Sequence, residues 1–239
     1  MTKAGVDVLR SRDEIIAARE RLRGSGVSSL SPAVLRWLAR HRLWRRPVVG
    51  DWLKSWDVEL TIARIRAEIP RHAPIVDMGA FGCEVLPALA AAGYRNLLGI
   101  DLEPRLLRHS APEPIRYRVG DFMAAEGADG TAAAVTSVSV IEHGFDAERL
   151  AAALVRWLRP GGLFLASFDY WPDGIDTSKI QLFGLSWTIF SRKEIESFLE
   201  VAARHGLHPD GEVRLNVDTP VIHWEQRDYT FGWMALRKT

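Results

Sequence analysis

The residues best placed to do chemistry lie around Asp77-Met78-Gly79-Ala80-Phe81-Gly82-Cys83. An apolar run, Pro74-Ile75-Val76, leads into Asp77, small residues make a turn, and a helix is predicted from near Cys83. Glycine at 79 lets the backbone turn sharply and approach a ligand with no Cβ in the way. The helix start offers free N–H groups and a positive dipole end. Asp101 ends the next apolar run, 24 residues after Asp77. A carboxylate there can accept both hydroxyls of an adenosine ribose, as in dinucleotide folds. The pattern predicts an adenosine-like cofactor at the switch point of an open α/β sheet. The dinucleotide fingerprint G-x-G-x-x-G is absent, as is a Walker-type G-x-x-x-x-G-K-[ST]. Glu84, in the first helical turn, could meet a ligand ammonium or simply favour the helix dipole.

The elements that must hold these residues follow from periodicity. From residue 74, strand-length apolar runs (PIVDMG, NLLGID, IRYRVG, AAAVTSVSVI, LFLASFD) alternate with helix-like stretches at 84–92, 104–109 and 147–158. That alternation indicates βαβ units, and runs without polar alternation indicate strands covered on both faces. Residues 1–70 read as helical. Ser11 with Glu14 caps one helix, Ser31-Pro32 opens a second that Pro47 ends, and Asp57 is the expected cap of a third. Residues 170–190 are irregular and aromatic, Ser191 caps a helix over RKEIESFLEVAARHG, and the segments EVRLNV and DYTFGWMALRK read as closing strands.

Three later motifs sharpen the cofactor: Gly120-Asp121-Phe122, Ser139-Val140-Ile141-Glu142-His143, and Leu158-Arg159-Pro160-Gly161-Gly162. With the Asp77 loop and Asp101, in this order, residues 74–170 resemble the class I S-adenosylmethionine-dependent methyltransferases. The resemblance implies a Rossmann-like α/β fold: a seven-stranded, mostly parallel sheet with an antiparallel terminal hairpin. It divides the chain into an N-terminal helical lid (1–70) and a cofactor-binding domain (71–239) with an acceptor-side insertion at 170–190. It also implies roles. Gly79 and Ala80 would face the methionine half of S-adenosylmethionine, Asp101 would hold the ribose, and Leu102 would lie against the adenine. Asp121 would accept from the adenine amino group with Phe122 near the ring, and Ser139 and Val140 would line the floor under the sulfonium. The chain departs from the family's D-x-G-x-G-x-G loop, because Phe81 and Cys83 stand where glycines are usual.

Methyl transfer to an alcohol calls for a nearby base, and His143 is the candidate, with a structural role as the alternative. Asp169 and Tyr170 are expected at the same mouth, and His223 in the closing hairpin could reach over it. Trp52 and Trp56, four apart just ahead of a helix, are expected to lid the pocket, Trp56 against the cofactor and Trp52 against the acceptor. The nine tryptophans avoid residues 57–156, so Trp171, Trp187 and Trp224 join Trp52 and Trp56 as expected roof of the acceptor site.

Composition bounds the rest. Of 239 residues 47% are apolar, which suffices for a sizeable core. No apolar run approaches the ~18 residues of a membrane span, and the charged first thirty residues do not read as a signal peptide. A single cysteine excludes an internal disulfide, and no Cys/His cluster has zinc spacing, so no metal is expected. A cytoplasmic protein is expected, acting on oxygen of a small polar metabolite, sugar-like or a secondary metabolite, and able to form a homodimer. Residues 1–50 carry eleven basic and four acidic side chains. That bias keeps an RNA methyltransferase as an alternative, although the charges form no evident stripe. A non-catalytic, methyltransferase-like binding protein is the other, given the altered glycine loop.

Overall fold

The computed structural model describes residues 3–26, 51–108 and 113–239. The helix expected after Ser31-Pro32, with Trp37, Trp44 and five of the eleven basic side chains of residues 1–50, lies outside the described residues.

Five parallel strands form the centre: β2 (Ile75–Met78), β3 (Leu97–Asp101), β4 (Ile115–Val119), β5 (Ala132–Val138) and β6 (Leu158–Tyr170), in the spatial order β4-β3-β2-β5-β6. The chain runs outward from β2 to β4 and then returns to place β5 beside β2. The loops after β2 and β5 therefore diverge at a switch point, where ligands bind in open α/β sheets. The long last strand β12 (Arg227–Lys238) pairs antiparallel with β6, and β11 (Ile222–Trp224) folds back on it as the terminal hairpin. This is the Rossmann-like α/β architecture expected, a mixed sheet with mostly parallel central strands.

The sheet is wider than seven strands. It has ten among the described residues, because β12 also pairs with β1 (Ala4–Val8) and β9 (Leu207–Pro209), while β10 (Glu212–Val213) pairs with β1. Residues 4–8, expected to be helical, are thus a strand whose Val6 and Val8 are fully buried. A five-residue apolar alternation gains its hydrogen bonds only from a partner more than two hundred residues away, so local periodicity does not reveal it. The closing segment EVRLNV pairs only at Glu212–Val213.

One face of the sheet is covered by α1 (Arg12–Gly24), α2 (Ser55–Glu68) and α3 (Val85–Ala91), the other by α4 (Ala147–Trp157) and α5 (Arg192–Arg204). Alternate β6 residues serve the two cores: Leu163 and Leu165 face α1 to α3, while Phe164, Ala166 and Phe168 face α4 and α5. Burial on both faces explains why β2, β5 and β6 show no regular polar alternation. Capping follows the sequence at Ser191, whose full box with Glu194 opens α5. At Ser11 only half the box forms, because the Glu14 carboxylate accepts from the Arg10 N–H instead. Asp57 is not a cap. Helix α2 begins at Ser55, and Asp57 is fully buried in its first turn.

Candidate functional site

At the switch point lies a cavity of about 690 Å³. Its base is the loop after β2. Gly79 adopts φ +77°, and a Cβ there would stand 2.2 Å from Val140 Cγ2, so only glycine lets the loops after β2 and β5 close on each other. Gly82 also has φ +77° and makes the second left-handed turn, which lets this G-x-x-G loop turn without the missing glycines. Cys83, at a usual glycine position, turns inward, and its sulfur accepts from the Val85 N–H at 3.3 Å. Beside it Asp77 is fully buried. Desolvation pushes the Asp77 carboxyl up to about 6, while the Cys83 thiol and the Thr136 hydroxyl draw it back.

Asp101, at the end of β3, is anchored by two backbone N–H groups, from Phe81 at 2.9 Å and Glu103 at 2.8 Å. A carboxylate has about four acceptor positions, so both oxygens retain capacity for a diol. Leu102 beside it is exposed into the cavity. Asp121 and Phe122 line the same wall. Asp121 Oδ1 accepts from the Met123 N–H at 2.8 Å and Oδ2 from Arg149 at 3.1 Å, while Phe122 stacks on Trp157 with centroids 5.5 Å apart. Ser139 and Val140 form the opposite wall. Ser139 holds a left-handed φ of 52°, uncommon for a residue with a side chain and of the kind found at functional sites. Of the expected cofactor residues, Gly79, Asp101, Leu102, Asp121, Phe122, Ser139 and Val140 therefore meet in one cavity. Ala80 does not line it, because its methyl packs under the loop against Gly99.

The cavity continues past Ser139 to His143, Lys54, Val58, Phe183 and Leu185. Burial, with Lys54 nearby, pushes the His143 imidazole down to about 4, so it is neutral at physiological pH. Its Nδ1 is buried and has no hydrogen-bond partner among the described residues. Phe183 meets the His143 ring edge-on at 5.3 Å. It sits at the tip of a two-residue turn between β7 (Gln181–Leu182) and β8 (Leu185–Ser186), 85% exposed and with φ 55°.

The other expected acceptor and lid residues lie elsewhere. Trp56 is buried in the core under α1 to α3, and Trp52 packs on the same core; neither lines the cavity. Helix geometry explains this. Residues two apart on a helix point roughly 200° apart, and with Trp56 in the core it is Lys54, just ahead of the helix, and Val58, at the edge of the same core, that line the site. That spacing was readable in Lys54-Ser55-Trp56-Asp57-Val58. Tyr170 is fully buried on the opposite face of the sheet, its hydroxyl donating to the Leu215 carbonyl at 2.8 Å. Asp169 is buried and accepts from the Trp187 indole at 2.8 Å, so this pair knits the insertion to β6. Trp171 packs against both cores, Trp224 meets Trp187 edge-on at the surface, and His223 is exposed and paired with Asp228 at 2.7 Å. The insertion does reach the site, but through Phe183 and Leu185, apolar residues with no chemical signature in sequence.

Residues 76–166 match the methyltransferase domain family. An uncharacterized methyltransferase of Mycolicibacterium vanbaalenii is 29% identical over 143 residues, 58% of this chain and 53% of the relative. The chain thus spans about half the length of the curated relatives it matches. Among solved structures, an S-adenosylmethionine-dependent methyltransferase from Mesorhizobium loti aligns with TM-score 0.52 and 17% identity over 77% of this chain and 98% of its own. Geranyl diphosphate C-methyltransferase from Streptomyces coelicolor aligns with TM-score 0.54 and 16% identity, over 75% of this chain and 77% of its own. At such identities these structures speak for the fold, and they share it. Over residues 76–166 the chain is similar to methyltransferase domains, and it shares the fold of solved S-adenosylmethionine-dependent methyltransferases.

Proposed function

We propose that the protein moves the methyl group of S-adenosylmethionine to a hydroxyl oxygen of a small polar acceptor, a sugar-like or secondary metabolite, in the cytoplasm. One observation carries this reading: the cavity lined by the residues expected to bind the cofactor is continuous with the neutral His143. Gly79 would leave room for the cofactor's methionine half, Asp101 would take the ribose hydroxyls, Leu102, Asp121 and Phe122 would bound the adenine, and Ser139 and Val140 would lie under the sulfur. The bound cofactor supplies an electrophilic methyl group whose positive charge disperses on transfer. The chain then has to position the acceptor and exclude water.

His143 would accept a hydrogen bond from the acceptor hydroxyl and so aim an oxygen lone pair at the methyl group. Its lowered basicity is no obstacle. The hydroxyl becomes strongly acidic only as the new C–O bond forms, and a weak base suffices to take the proton then. Among the solved neighbours, the name of the Streptomyces enzyme specifies a small molecule, which supports an acceptor of that size. The test supplies methyl-tritiated S-adenosylmethionine with a small-molecule extract of the source organism, and in parallel with tRNA and rRNA. Label in an alkali-stable methyl ether is expected. Label in RNA would support the nucleic-acid reading, and S-adenosylhomocysteine binding without any transfer would support a non-catalytic protein.

A further inference from the structure

Beyond Ser139 the cavity ends against an ammonium group set among carboxylates. Lys54, just ahead of α2, lines the cavity, donates to Ser139 Oγ, and holds its Nζ 3.9 Å above the Phe231 ring of β12. Asp57, Glu142 and Asp169 lie behind it, each at most 4% exposed. They come from three elements, α2, the loop after β5 and the end of β6, and Lys54 is the cation that acts on all three. Asp57 is one hydroxyl away from the cavity wall. Its Oδ2 accepts from Ser167 Oγ at 2.6 Å, and Ser167 Oγ in turn accepts from the Ser139 N–H at 3.0 Å. Glu142 Oε2 is buried with no hydrogen-bond partner among the described residues, and burial holds the Glu142 carboxyl well above the usual carboxylate range.

S-adenosylmethionine and its product S-adenosylhomocysteine differ by one methyl group and one positive charge. Fixed charge beside the floor therefore acts on one ligand and hardly on the other, and does so strongly where water is excluded. We propose that Lys54 and Asp57 act as positioning residues that set the charge at the cavity floor and thereby the preference for the sulfonium cofactor over its thioether product. The inference rests on reading this cavity as the S-adenosylmethionine site. The carboxylate favours the sulfonium, and the ammonium tempers that attraction. The tempering has a catalytic use: a floor left too negative would hold the charged ground state more tightly than a transition state in which that charge is dispersing.

The experiment is calorimetric titration of the full chain with S-adenosylmethionine and separately with S-adenosylhomocysteine. The chains compared are the unmutated protein, Lys54→Met, Lys54→Gln, Lys54→Arg, Asp57→Asn and Lys54→Met/Asp57→Asn. Loss of the ammonium in Lys54→Met or Lys54→Gln is expected to shift the affinity ratio about tenfold toward S-adenosylmethionine. Lys54→Arg should keep the original ratio, Asp57→Asn should shift it several-fold toward S-adenosylhomocysteine, and the double variant should return close to the start. Two neutral replacements and an opposite-sign variant keep the test decisive if one chain fails to fold. Parallel changes for both ligands, or Lys54→Arg behaving like Lys54→Met, would overturn the inference alone. No binding of either ligand to the unmutated chain would overturn the cofactor reading and this inference with it.

Discussion

Asp77 offers a measurable link between burial and pH. Its carboxyl is fully buried at the end of β2, receives the Thr136 hydroxyl, and has one oxygen without a hydrogen-bond partner among the described residues. Desolvation raises it from 3.8 to about 6, so between those values the folded state binds a proton that the unfolded state has released. The stability this contributes is fully present below about pH 4 and is lost as pH rises through about 6. The full swing is about 3 kcal/mol, from a shift of roughly two pH units at 1.36 kcal/mol each. Asp57 titrates with the same sign, while His143, pushed down to about 4, titrates with the opposite one, losing its contribution as pH falls. The unmutated curve therefore mixes opposed terms, and the difference from Asp77→Asn isolates one of them. Asparagine keeps an acceptor for Thr136 and cannot ionise. Urea unfolding of both chains from pH 4.5 to 8, an interval of roughly the width that linkage requires, is the assay. Asp77→Asn should gain on the unmutated protein as pH rises, by about 2–3 kcal/mol across the range. A difference that stays flat, or that grows toward acid, would refute the assignment of a buried, proton-holding carboxyl at this position.

Other outcomes follow from single contacts. Gly79→Ala forces a Cβ to 2.2 Å from Val140 at a positive φ, so S-adenosylhomocysteine binding should fall at least tenfold with about 2 kcal/mol of stability, read by calorimetry and urea melts. Trp56→Ala empties a core position and should cost about 3–5 kcal/mol while leaving S-adenosylhomocysteine affinity within about twofold; a selective loss of affinity would restore its lid role. Phe183→Asn places the preferred residue in a two-residue turn whose backbone is left-handed at both positions, and should add about 1 kcal/mol or slightly less to stability. Lower methyl transfer by that more stable variant would mark Phe183 as an acceptor contact, whereas unchanged transfer would remove it from the site.

Much of this protein was legible before any coordinates. The central parallel strands showed as mainly apolar runs because burial on both faces removes most polar alternation, and Ser191 with Glu194 marked a helix start because capping is local chemistry. The cavity wall from Gly79 to Val140 was legible for a similar reason: each residue sits at or just past the end of a strand, where a short motif fixes both backbone and position. What the sequence could not decide depends on distant pairing. β1 exists because β12 offers it an edge, and Asp169 is turned inward by Trp187, so neither follows from neighbours in the chain. Tryptophan content pointed to the acceptor roof, but large indoles gain most from full burial, and Trp56, Trp187 and Trp233 went into the core. The second half of the cavity was left to Lys54, Phe183 and Leu185. Only the tertiary fold, by laying α2 and the insertion across the ends of β5 and β6, turned those ordinary residues toward the place where the methyl group would move.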